Sequence, residues 1–90
     1  MEKITLAFNV SQFPDIGYKE CATLRENMST LLDKELKQAA VGKWIGGLHT
    51  KDTIQVFLAV SDYEQAVLII QSTLKDHWML PLMEIERQSS

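Results

Sequence analysis

Few residues in this chain have a type and spacing that could do chemistry. His49 and His77 are the only imidazoles, and an imidazole serves as a metal ligand or a general base only with partners placed around it. Neither has a His, Cys or Asp at a ligand spacing such as i, i+4 on a helix, so each is read as structural or solvated. Cys21 is the only cysteine, which forbids an internal disulfide or a thiolate metal cluster and suits a reducing compartment. A nucleophilic role would need a neighbour that holds the thiolate, and no such neighbour stands out. Glu84 and Glu86 share one face of a strand and could form an acid/base pair only if one were desolvated. The stretch Gly42-Lys43-Trp44-Ile45-Gly46-Gly47 could let a phosphate approach the backbone, but it runs into a hairpin instead of a helix N-terminus, so no nucleotide signature is met. No catalytic residue, cofactor or metal ligand is therefore assigned, and the chain is expected to be non-catalytic.

The elements that position these residues follow from periodicity. Ile4, Leu6, Phe8 and Val10 recur at period two, the pattern of a strand with one apolar face. Pro14, Asp15 and Gly17 turn the chain. Cys21, Leu24, Met28, Leu31, Leu32 and Leu36 then recur at spacings of three and four, which predicts an amphipathic helix over about Tyr18 to Lys37. Val41 to Leu48 carries Gly42, Gly46 and Gly47 and reads as a bent edge strand. His49 to Asp52 is a polar connection, and Thr53 to Val60 is rich in β-branched residues, completing a hairpin. Ser61-Asp62-Tyr63-Glu64 fits a capping box, with Ser61 as cap of a second helix. Ala66, Val67, Ile70, Leu74 and one of His77 or Trp78 form its buried stripe. Pro81 ends it, and Leu82 to Arg87 alternates as a last strand.

The order β-α-β-β-α-β, with right-handed crossovers, predicts an α+β ferredoxin-like two-layer sandwich. It is a four-stranded antiparallel sheet with two helices on one face, strands one and three central. The expected core is Ile4, Leu6, Phe8, Val10, Leu24, Met28, Leu31, Ile54, Val56, Leu58, Val60, Val67, Ile70, Leu74 and Ile85. The opposite face is then Thr5, Ala7, Asn9, Gln55, Phe57, Ala59, Glu84 and Glu86. Residues 1–90 read as one domain, with 1–2 and 88–90 frayed.

The totals exclude further classes. With 90 residues the chain has room for one core. A net charge of -3 leaves no surplus of Lys and Arg for a phosphate backbone, which disfavours nucleic acid. Met1 to Leu6 alternates where a secretory signal would carry an apolar block of about 7 to 15 residues. No run approaches the ~18 apolar residues of a membrane span. A cytoplasmic location and no membrane contact are expected.

What remains is binding. Trp44, Phe57, Trp78, Met79, Phe13 and Tyr18 are the candidate partner-contacting residues, because exposed aromatic and Met side chains are effective anchors. Trp78-Met79-Leu80-Pro81-Leu82-Met83 is expected in large part to close the base of the core. A homodimer through the second sheet face, using Phe57 with Trp44 or Ile45, is left open. The element order matches an RNA-recognition module, but strand three lacks that module's basic and aromatic signature. The turn Pro14 to Gly17 resembles the ligand-sensing ACT domain, which implies an amino-acid pocket near Phe13 to Tyr18. The span Val41 to Gly47, with the following strand, Ser61-Asp62, helix and closing strand, resembles small stand-alone bacterial α+β proteins. Some of these are similar to immunity proteins. That resemblance implies a protein partner, as for an inhibitor of a toxin or enzyme. A dimeric α+β barrel enzyme is the remaining alternative and would need a closed polar cavity between sheets.

Overall fold

The computed structural model describes residues 2–88. Met1, Ser89 and Ser90, expected to be frayed, lie outside the described residues, whereas Glu2 and Gln88 are parts of strands. The elements are β1 (Glu2–Asn9), α1 (Tyr18–Gln38), β2 (Gly42–His49), β3 (Thr53–Val60), α2 (Tyr63–Thr73), a single 3-10 turn (Leu80–Leu82) and β4 (Met83–Gln88). The strands form one sheet in the order β2-β3-β1-β4, and each neighbouring pair is antiparallel. This is the ferredoxin-like α+β fold, with the two most apolar strands in the centre.

Alternation decides which face is buried. Ile54, Val56, Leu58 and Val60 of β3 are all fully buried, and Ile4, Leu6 and Phe8 of β1 lie beside them. Helix α1 adds Cys21, Met28, Leu32 and Leu36, while α2 adds Ala66 and Ile70, all in one cluster with Leu74 and Met79. Each fully buried Leu, Ile or Phe stabilises by about 1.5–3 kcal/mol relative to exposure, so this single cluster carries the fold. Leu31, expected inside, is 40% exposed, because the buried stripe of α1 runs through Leu32 one residue on. Leu24, Val67 and Ile85 are only half-buried.

The caps show how local chemistry sets the helix ends. The Gly17 backbone N–H donates to Glu20 Oε2 at 3.1 Å, which satisfies a donor before the first turn and places negative charge at the positive end of α1. At the other end, the N–H groups of Ala40 and Val41 donate to Lys37 O and Leu36 O at 3.1 Å each. This is a Schellman closure, and it forces Ala40 to φ 56°, a left-handed conformation that glycine adopts more readily. Helix α2 is capped by Asp62, whose carboxylate accepts from the Gln65 N–H at 3.2 Å. Ser61, expected to be the cap, instead donates through both its backbone N–H and its hydroxyl to Val41 O. Helix α2 is also shorter than its apolar stripe suggests. It ends at Thr73, and His77 and Trp78 belong to the turns that follow.

Strand β2 departs from regular pairing. Trp44 is opposite Leu58 and Gly46 is opposite Phe57, leaving Ile45 as a bulge. Gly46 has φ 153°, a region closed to most side chains. The extra residue changes the parity of everything after it. Gly47 and His49 face the helices beside Val56 and Ile54, and Leu48 faces outward beside Gln55.

Candidate functional site

The candidate anchors do not converge on one place. Phe13 and Trp78 meet: their ring centroids are 5.3 Å apart in an edge-to-face arrangement, and the two side chains are 36% and 47% exposed. Phe13 is held by consecutive tight turns, its N–H donating to Val10 O and its carbonyl accepting from the Ile16 N–H. Trp78 is held from the other side by stacking on His77. His77 is fixed in turn, its Nδ1 accepting from the Met79 N–H at 3.1 Å. Beside the pair lies an open groove of about 420 Å³ lined by Ile16, Lys19, Glu20, Thr23, Leu24 and Trp78. Met79 is fully buried. It belongs to the core and presents nothing to a partner, because the chain turns it inward after α2 ends.

Tyr18 is 61% exposed, with its ring 4.5 Å from that of His49. Phe57 lies on the open face of the sheet, half-buried under Lys3, whose ammonium sits 4.5 Å from the ring centroid. Trp44, considered above as part of that open face, shares the helix-facing side with Leu58. Its backbone N–H donates to Asp33 Oδ1 at 2.9 Å, tying α1 to β2. That bond, with the Lys37 ammonium 3.0 Å from the same carboxylate, holds the Asp33 carboxyl below its ordinary range. The register adds Lys3, Lys43 and Leu48 to the open face.

The chemically capable residues are dispersed as well. Burial, together with the nearby Glu20 and Asp52 carboxylates, pushes the Cys21 thiol up. The thiol also directs its Sγ at Lys51 O, 3.7 Å away. A thiol held protonated is a poor nucleophile. Glu84 and Glu86 are both exposed, opposite Ala7 and Thr5 on the open face. His49 has the contact that sequence reasoning missed: its Nδ1 accepts from Arg25 Nε at 3.0 Å. Gly46-Gly47 was the available signal, since a glycine pair inside a strand marks a bulge that would turn His49 inward. Among the described residues, no group of three or more His, Cys, Asp or Glu is placed to hold a metal ion. No helix among them is long and apolar enough to cross a membrane.

No protein-family model, curated protein or solved structure matches the chain.

Proposed function

We propose that the protein acts by binding another protein, without catalysing a reaction, and that the Phe13–Trp78 end is the contact surface. The observation that carries this reading is the pair of rings in edge-to-face contact, both open to solvent beside an apolar-floored groove. Aromatic rings bury large areas and, when already held in one orientation, lose little entropy on binding, which is why Trp is enriched among the residues that dominate interfaces. Lys19, Glu20 and Thr23 supply polar groups around the groove, the arrangement of a dry centre with a wet rim.

The narrower form of the reading is an immunity-type inhibitor, in which the partner is a bacterial toxin or enzyme neutralised in the cytoplasm. The net charge of -3 favours a basic partner. The test is capture from the source cell with tagged wild-type protein and with a Phe13→Ala/Trp78→Ala double variant of matched thermal stability. One stoichiometric protein retained by the wild type and lost with the double variant supports the reading. Equal capture by both forms, or no stoichiometric protein with either, refutes it.

A further inference from the structure

The two helices are unequal. Helix α1 has 21 residues and α2 has 11, which at 1.5 Å per residue makes them about 31 Å and about 16 Å long. The central strands β1 and β3 have eight residues each and extend about 26 Å. Helix α2 therefore covers little more than half of the sheet's length.

The register fixes which end is left bare. Glu2 pairs with Val60 at one end of the sheet, and Phe8 pairs with Met83 at the other. Helix α2 follows Val60, so it starts at the first end and stops short of the second. Helix α1 follows β1, so its first turns stand at the second end. The chain crosses the bare stretch in turns, with Leu74 and Met79 sealing the core. Among the described residues, no α-helix stands beside the first turns of α1.

The groove of about 420 Å³ lined by Ile16, Lys19, Glu20, Thr23, Leu24 and Trp78 is this gap. Its α1 wall is made of two i, i+4 rows, Lys19 with Thr23 and Glu20 with Leu24, the face that a neighbouring helix would meet. Leu31, seven residues beyond Leu24 on the same side of α1, is 40% exposed and prolongs the apolar row. Along such rows the element that fits is another helix, whose side chains enter the spaces between them. An extended strand would leave its backbone N–H and C=O groups unpaired, because side chains and no sheet edge line the groove. A small molecule would need enclosure, and this groove is open.

We infer that the partner lays an amphipathic helix of about three turns over this gap, antiparallel to α1, continuing the layer that α2 begins. Apolar side chains at i, i+3 or i+4, and i+7 face Ile16, Leu24 and Trp78. Antiparallel packing brings the last turn of that helix to Glu20, where Lys or Arg meets a carboxylate as well as the negative end of its own helix. The inference rests on the protein-partner reading above and specifies the element that the partner contributes.

The test takes the protein that the wild-type chain captures through Phe13 and Trp78, divides its sequence into overlapping synthetic peptides of about 15 residues, and titrates each against the whole protein by fluorescence anisotropy. One peptide with that apolar spacing is expected to bind and to gain helical circular dichroism on binding. A proline at its centre should weaken binding at least tenfold. Thr23 is exposed on the groove wall, so Thr23→Arg should leave the melting temperature unchanged while filling the groove and weakening the peptide at least tenfold. Absence of any captured protein refutes the earlier reading, and this inference with it. Once a protein is captured, the inference alone is overturned if no peptide binds, if the bound peptide stays non-helical, if its proline form binds as tightly, or if Thr23→Arg changes nothing.

Discussion

The two edges of the sheet solve the same problem in opposite ways. An edge strand must cover the end of the core without inviting another strand to pair with it. Strand β4 does so with side chains. It pairs with β1 without a register break, and turns Met83 and Ile85 towards the core. Further along the same face, opposite Ile4, Arg87 ties the edge down: its Nε is 2.9 Å from Glu2 Oε2 and its guanidinium lies 4.3 Å from the ring centroid of Tyr63 on α2. Strand β2 does so with backbone. Its sequence, GKWIGGLH, offers glycines where β4 offers Met and Ile, and a bulge replaces regular pairing. The consequence is chemical. The β4 edge is sealed by apolar contact, whereas the seam beneath β2 has room for Arg25, Ser29 and His49, groups that a dry core would exclude.

That contrast can be broken or sharpened by substitution. The largest effect is expected in the dry core, where Ile70 on the inner face of α2 is fully buried. Ile70→Ala leaves a cavity with nothing polar to fill it and should cost about 3 kcal/mol of unfolding free energy, read from urea melts. On the polar side the comparable lever is Gly47, where a Cβ would sit 2.5 Å from the Gln55 carbonyl oxygen. Gly47→Ala forces β2 away from β3 and should cost about 2 kcal/mol. It should also disturb amide resonances along β2 far more than along β4. At the joint between α1 and β2, Ala40→Gly relieves a left-handed residue and should stabilise by about 1 kcal/mol. No change, or a loss, would show that the closure is not strained.

The smallest effect is in pH dependence, where each edge holds one depressed carboxyl. Glu2 is lowered by its hydrogen bond to Arg87, and Asp33 by the Trp44 N–H and Lys37. With the folded value below the unfolded one, the unfolded state binds more protons in the window between them. The stability from both groups is therefore complete above the ordinary carboxylate range, and is lost as pH falls through the folded values. Both carboxyls are close to solvent, so screening keeps the contribution small. Side-chain carboxyl titrations followed by NMR should place both midpoints below those of unpaired Asp and Glu in the same protein. Asp33→Asn should flatten the acid limb of a melting curve series.

How much of this was legible in the sequence depends on the element. Strands β1 and β3 were readable because large apolar residues repeat at period two, although Thr5, expected on the open face, is buried as well, and Thr53–Val60 was expected with the bounds observed. The second cap was displaced by one residue. Ser61-x-x-Glu64 and Asp62-x-x-Gln65 both fit the pattern, and only the tertiary bond from Ser61 to Val41 O decides between them. Leu31 and Leu32 are adjacent on an amphipathic helix, and periodicity alone does not fix the rotation of that helix against the sheet. The residues of the seam between α1 and β2 were the least legible. Arg25 and Asp33 fall between the apolar positions of α1 and Ser29 carries no signal of its own, and the bulge at Ile45 is needed before His49 turns inward to meet Arg25. Of the surface anchors, Phe13 and Trp78 were visible as residue types, but their contact depends on α2 ending before His77.

The central claim is that the bulge in β2 brings His49 inside to fix Arg25 and so builds a polar seam under one edge only. The most direct test is the ¹H–¹⁵N spectrum of the arginine Nε–H groups at neutral pH. The Arg25 Nε–H should exchange slowly with water and show cross-relaxation to the His49 ring, and His49→Ala should abolish its protection. An Arg25 Nε–H that exchanges as rapidly as in an unfolded chain, or that is indifferent to His49→Ala, would contradict the account.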